Sequence, residues 1–508
     1  MAALFSWLAG SAEQRSLLSG GGGEGGPAAA GAAAAAASSG PTKTSLVLSA
    51  VNFANGVVGA GIVGLPAAFN QMGLPLGVAS CVVVATLSQY TIRLLAEMGA
   101  AHGLSDYLGL AQRGFGDAGY YMCSVFQAVF AFGAMVTYLI IFADTLPSVL
   151  HDANPGAFND DWPTKRAVLA VVGVVILLPL SLIRSFGALA RLGLLKLAAT
   201  GFLTAVVCYY ATVLRETSNY SYACKYTKVH EDYFPALGTI AFAFVCHHQT
   251  FLVQGALRNA TPRRFALTTA LAIFGSFALS LTVATAGYLT FFENTQGDLF
   301  VNYEAYKNAL PPLPFPNPGL LNAARLLLAG NMLITYPGEL MVVRGTVESF
   351  LSRRRRDAYE GLDTEEVDVA KMAEVRAAQV EAAARSADTW HPGAPLSTPL
   401  LEHVGITCVL LLASLTIAML VSDIGVILSL TGSTAAVFLS FLLPAALRLR
   451  LGRDASDTNP ILHTSNAAPL LVLGFGAVAF VASSGYTLVQ LALATSTEID
   501  EGMQCVSS

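Results

Sequence analysis

The chain of 508 residues is 54% hydrophobic and 12% charged, whereas soluble globular domains carry about 25% charged residues. That balance excludes a water-soluble protein and points to a polytopic membrane protein. The formal net charge of -5 gives no nucleic-acid footprint, because all but seven of the 28 lysines and arginines fall in segments assigned to one side of a membrane. The exceptions are Lys165, Arg166, Arg215, Lys225, Lys228, Lys307 and Arg325.

Residues 1–43 read as a disordered cytosolic tail: Met1 to Leu8 has no basic region that would mark a secretory signal, and a Gly/Ala run follows from Gly20. Within the tail, Glu13, Leu17 and Leu18 match the acidic dileucine address that sorting adaptors read for delivery to lysosomes or vacuoles. A chance Leu pair is the plainer alternative.

Apolar stretches long enough to span a bilayer follow at about 45–69, 75–98, 120–148, 166–184, 193–214, 234–256, 266–291, 319–343, 402–421, 424–446 and 466–493. Their odd number puts the termini on opposite sides. Arg93 and Arg113, then Arg184, Arg191 and Lys196, then Arg258, Arg263 and Arg264, then Arg353 to Arg356, then Arg448, Arg450 and Arg453 all fall in loops on the N-terminal side, which is therefore cytosolic. The opposite loops are acidic and carry the sequon Asn219-Tyr220-Ser221. Residues 496–508 form an extracytosolic tail, and 350–401 a cytosolic insertion whose four arginines meet anionic headgroups or whose length serves as a solvated regulatory loop. Cys81, Cys123, Cys208, Cys246 and Cys408 sit in apolar spans and pack there; Cys224 and Cys505, in polar outer segments, form a candidate pair.

Two spans are interrupted. The first, Ser45 to Phe69, crowds Gly56, Gly59, Gly61, Gly64 and Pro66 into its middle, although glycine costs about 1 kcal/mol and proline about 3 kcal/mol at an interior helical position. Unpaired backbone at membrane depth is tolerated only where it lines a protein cavity or an ion site. The sixth span places His247, His248 and Gln249 directly after Cys246, an arrangement that an unwound hinge explains. A polar patch bonded to neighbouring helices is the alternative. Paired interruptions in corresponding spans point to a transport site.

The motifs Asn55-Gly-Val-Val-Gly59-Ala60-Gly61-Ile-Val-Gly-Leu-Pro66, Cys246-His247-His248-Gln249-Thr250-Phe251 and Thr335-Tyr336-Pro337-Gly338-Glu339 together resemble the amino acid/auxin permease family, and within it the sodium-coupled neutral amino acid transporters and the fungal vacuolar amino acid transporters. The resemblance covers about residues 44–495 outside the insertion. It implies an all-α fold of eleven transmembrane helices with a five-plus-five inverted repeat of the leucine-transporter type, discontinuous first and sixth helices, and symport of amino acids driven by sodium or protons. No further cofactor is implied, and the lipid bilayer and a small amino acid are the partners expected of a monomer. The membrane is expected to be vacuolar or lysosomal, or else the plasma membrane.

A substrate carboxylate needs backbone N–H donors at a helix start, which Gly59, Ala60 and Gly61 would offer. The ammonium needs acceptors, from the carbonyls near Val57 and Phe244, with His247 and His248 lining the same space. The tight break favours neutral amino acids. By resemblance, Asn55, Gly56 and Thr335 form the sodium site. Proton coupling would instead use Glu339 or His247, since an intramembrane carboxylate is a functional candidate by default and imidazole titrates near neutrality; a structural Glu339–Arg344 pairing or a shared polar network competes with that role. Asp144 reads as a solvated boundary residue.

Enzymatic chemistry is not supported, since neither HExxH nor GxSxG occurs and His247 and His248 project about 100° apart on an ideal helix. An amino acid sensor built on a transporter fold, with little or no flux, is the second functional reading.

Overall fold

The structure is a computed structural model and describes residues 44–155, 157, 161–182, 193–214, 226–227, 229–230, 233–308, 315–360, 400–421, 423–452 and 466–506. The dileucine, Arg184, Arg191, the Asn219 sequon, Cys224 and most of the 350–401 insertion lie outside these residues. Among the described residues the chain is helical and contains no strand. Ten helices are long and apolar enough to cross a bilayer, and Leu46–Val57 with Gly61–Met72, bent by 55°, makes an eleventh span. The polytopic all-α architecture read from the sequence is therefore present among the described residues.

The helix boundaries follow from ordinary capping and turn chemistry. Ser45 caps the first span, its hydroxyl accepting from Leu48 N–H at 3.3 Å. Three residues, Val58 to Ala60, then interrupt the helix, Val58 with ψ of 49°, before Gly61 starts the second half. The third helix runs Tyr107–Ala153 with a kink at Gly116, whose φ of 65° is available to glycine at little cost. This kink separates a short surface piece from the membrane-crossing part expected from residue 120. The eighth helix continues to Glu360 and the eleventh to Val506.

The sixth span consists of Tyr233–Phe244, two non-helical residues, a single 3-10 turn at His247–Gln249, and Thr250–Ala256. It packs against the first span so closely that a Cβ on Gly61 would stand 2.7 Å from Ala243 Cα, so only glycine fits there. Where the first span begins and the sixth ends, a two-way backbone link joins them: Thr44 N–H donates to Ala256 O at 2.8 Å and Arg258 N–H to Thr44 O at 3.0 Å. This end of the bundle is termed proximal below, and the opposite end distal.

At the distal end, the helix Leu299–Lys307 between the seventh and eighth spans is held by charge. Arg325, 1% exposed, donates to Glu304 Oε2 at 2.9 Å and to Phe300 O at 3.2 Å. Lys307 bridges Glu304 and Asp152, and Asn322 donates to Asp152 at 3.0 Å. Removing one member of a buried charge pair costs about 3–5 kcal/mol, so the network fixes this helix to the third and eighth spans.

Candidate functional site

The two interruptions face each other in the middle of the bundle. Val57, Ala60, Gly61, Phe244 and His247 are buried there, and Gly59 and His248 are half-buried. Gln249, next to His248, fills the space beside Gly56 where any larger residue would collide with its amide. The Tyr138 hydroxyl, from the third span, stands 3.3 Å from the position of a Cβ on Gly59. No sequence motif marked Tyr138, and although Gln249 lies in the Cys246–Phe251 motif its meeting with Gly56 was not expected from it.

His247 is a brace between helices. One ring nitrogen, Nε2, lies 2.8 Å from Thr91 Oγ1 on the second span, and the other, Nδ1, lies 3.0 Å from Ser440 Oγ on the tenth. A neutral imidazole has one donor and one acceptor nitrogen, and both are engaged. His248 instead packs on the Phe130 ring at 5.4 Å and lies 3.2 Å from the Gln249 amide.

The residues expected to hold sodium are arranged separately from the histidines. Asn55 donates its amide to Gly193 O at 2.7 Å, which leaves its oxygen for another partner. Thr335 donates to Asn331 O at 2.8 Å along its own helix, as threonines in helices commonly do. Its hydroxyl lone pairs are not consumed by that bond.

Glu339 is buried, with Oε2 lacking a hydrogen-bond partner. The charge that acts on it belongs to Lys196, in the first turn of the fifth span, and its own charge reaches Tyr138. The expected alternative of a Glu339–Arg344 pairing is not what the geometry gives: Arg344 donates to Ser181 O at 3.0 Å and to Thr407 Oγ1 at 2.9 Å. Lys196 thus belongs to the bundle interior rather than to a loop, and joins Gly59, Tyr138 and Glu339 in one polar region crossing four spans.

A cavity of about 880 Å³ opens at the distal end. Its floor is Gly64, Ala68, Thr239 and Ser429, from the distal parts of the first, sixth and tenth spans, and its walls include Asp144, Lys165 and Asp298. None of the residues expected to bind substrate lines it. The cavity therefore stops short of the interruptions, which are closed off on this side by Gly61 packed on Ala243. Asp144, expected to be a solvated boundary residue, is 9% exposed and pairs with Lys165 at 3.1 Å. Among the described residues no cluster of three or more metal-ligating side chains occurs.

Eleven membrane-crossing helices, two of them broken where they meet, and a cavity at the distal end define a polytopic membrane protein of the transporter class. The sequence places it more narrowly: residues 42–489 match the family described as transmembrane amino acid transporter protein, and the chain belongs to that family. It is 30% identical over 413 residues to a Danio rerio protein named "Putative sodium-coupled neutral amino acid transporter 11", covering 81% of this chain and 80% of the relative. A Rattus norvegicus protein of the same name is 28% identical over 445 residues, with 87% and 84% covered. Vacuolar amino acid transporter 2 of Saccharomyces cerevisiae is 25% identical over 455 residues, with 88% and 84% covered. The family is one of transporters rather than enzymes.

Proposed function

We propose that this chain moves neutral L-amino acids across a vacuolar or lysosomal membrane by alternating access, with sodium as the coupling ion. The observation that carries this reading is the meeting of the two helix interruptions, Val58 to Ala60 and Val245 to Gln249, at a depth where bare backbone groups need a ligand. The amides at Gly59, Ala60 and Gly61 take the substrate carboxylate, and the carbonyls near Val57 and Phe244 take its ammonium. The Asn55 oxygen, the Gly56 carbonyl and the Thr335 hydroxyl supply hard oxygen ligands for sodium. Neutral substrates suit the close approach of Gly61 to Ala243, and the names of the Danio rerio and Rattus norvegicus relatives agree. The vacuolar location follows the yeast relative's name and the Glu13, Leu17, Leu18 address.

In this reading the halves of the bundle form a five-plus-five inverted repeat, the proximal end faces the cytosol and the distal cavity faces the lumen. A second reading, proton coupling, draws on one specific feature: the unpartnered Glu339 Oε2 beside Lys196.

Uptake of a labelled neutral amino acid into proteoliposomes, with sodium replaced by choline at fixed pH, separates the readings. Loss of uptake in choline and in Thr335→Ala is expected. Unchanged uptake in choline, with loss in Glu339→Gln, would overturn sodium in favour of the proton. Saturable binding with no flux under either gradient would make the chain a sensor rather than a transporter.

A further inference from the structure

The distal cavity contains a feature that amino acid transport does not explain. Asp298 is 4% exposed and sits in the cavity wall at the start of the helix Leu299–Lys307. Its Oδ1 caps that helix by accepting from Phe300 N–H at 2.7 Å, while Oδ2 is buried without any hydrogen-bond partner. A buried carboxylate oxygen with no partner is costly when charged and far less so when it carries a proton.

The surroundings offer Asp298 charged neighbours but no partner for Oδ2. The groups acting on Asp298 are Asp144 from the third span, Lys165 from the fourth, Arg325 from the eighth and the Phe300 N–H on its own helix. Asp423, ahead of the tenth span, shares the cavity. Lys165 is already paired with Asp144, and Arg325 is held by Glu304 and Phe300 O, so neither cation touches Oδ2. The adjoining turn is anchored at Thr295, whose N–H and hydroxyl donate to Phe292 O at 3.1 Å and 2.6 Å, and beyond it by the Asn302 amide, which accepts from Gln296 N–H at 3.1 Å and donates to Asn294 O at 2.7 Å.

We propose that Asp298 is a proton-binding site that sets the shape of the distal cavity. With its proton the carboxyl group and the Thr295 to Asp298 turn stay seated in the wall. On losing the proton, the turn moves outward until Oδ2 reaches Lys165 or water, and the cavity widens. Burial pushes this carboxyl up to about 7, with the Asp144 charge adding to the effect and Phe300 N–H, Arg325 and Lys165 opposing it. The change of shape therefore falls between an acidic compartment and neutral solution. The site is separate from Glu339 and from the sodium ligands, so it holds under either coupling ion.

Trp162 lines the same cavity and is one of three tryptophans in the chain. In purified full-length protein carrying Trp7→Phe and Trp390→Phe, Trp162 fluorescence and its quenching by acrylamide are followed from pH 5 to pH 9 without substrate. A single transition centred near pH 7 is expected, with quenching stronger on the alkaline side. Asp298→Asn, which keeps the helix cap, is expected to abolish the transition, and Asp144→Asn to move it down by about half a pH unit or more. His230→Gln should leave it in place, although His230 N–H bonds to Gln71 in the cavity lining. A flat titration in the parent protein overturns the proposal without any variant. So does a transition that survives Asp298→Asn or disappears with His230→Gln.

Discussion

The Tyr138 hydroxyl stands 3.3 Å from where a Cβ on Gly59 would lie, so the third span reaches the non-helical backbone of the first. That distance is tighter than ordinary van der Waals contact, so Gly59→Ala forces either the break or the tyrosine to shift. If the hydroxyl also helps to bind substrate, Tyr138→Phe removes one hydrogen bond while leaving the ring packed. A neutral hydrogen bond contributes about 0.5–1.5 kcal/mol, which predicts a rise in KM for uptake of about 2- to 10-fold. The paired variant gives a sharper check: Tyr138→Phe should restore part of the activity that Gly59→Ala loses, because the missing oxygen makes room for the methyl group. If the sites act independently, uptake kinetics of the double variant would instead show the two single losses combined.

Lys196 and Glu339 lie on the fifth and eighth spans, and each is the charged neighbour acting on the other. The two form no direct ion pair, but taking away either charge leaves the other without its opposite neighbour. Lys196→Met and Glu339→Gln are therefore each expected to lower the thermal unfolding midpoint strongly in detergent. The double variant should recover much of the loss, because it leaves no bare charge. Losses that simply add would mean that the two groups do not share an environment.

The spans and the two breaks were legible in the sequence because both are local. Twenty apolar residues are enough to announce a crossing, and glycines clustered beside Pro66 announce an interruption. The partners within the site were not legible, because contact across spans has no local signature. Lys196 read as a loop cation and Asp144 as a boundary residue, yet the charge acting on Lys196 is that of Glu339, distant in sequence, and Asp144 is paired with Lys165. One error was avoidable from geometry alone: Glu339 and Arg344 are five residues apart, which puts them about 140° apart around a helix, so a direct pairing was never favoured. The meeting of Tyr138 with Gly59, and of Gln249 with Gly56, depends on the bundle and could be found only there.

His247 was expected to line the substrate site or to carry a proton. Its ring bridges Thr91 and Ser440 with both nitrogens, which fits a structural brace between the second and tenth spans. His247→Leu keeps much of the volume but orphans the Ser440 hydroxyl, at about 1–3 kcal/mol for a buried group left without a partner, while Thr91 Oγ1 keeps its bond to Leu87 O at 2.9 Å. A lowered unfolding midpoint is expected, with the pH profile of uptake by the surviving folded protein unchanged. A shifted profile would return His247 to the proton pathway.

Asp298 makes a prediction about stability whose sign is unusual for a carboxylate. Its folded-state value is raised from the usual 3.8 to about 7, so between those pH values the folded chain holds a proton that the unfolded chain has released. Stability rises with pH only where the unfolded state binds more protons; here the folded state binds more, and stability falls as pH rises from about 4 to about 7. The burden is absent below that window and complete above it. At about 1.4 kcal/mol for each pH unit, it is bounded at about 4 kcal/mol, with Lys165 and Arg325 placed to reduce the cost once the turn has moved. Asp298→Asn carries no such burden and keeps the cap on Leu299–Lys307. Its unfolding midpoint should therefore match the parent at pH 4.5 and exceed it at pH 8, as read by differential scanning fluorimetry in one detergent at both pH values. A variant less stable than the parent at pH 8 would mean that the ionised carboxylate finds a strong partner in the folded protein.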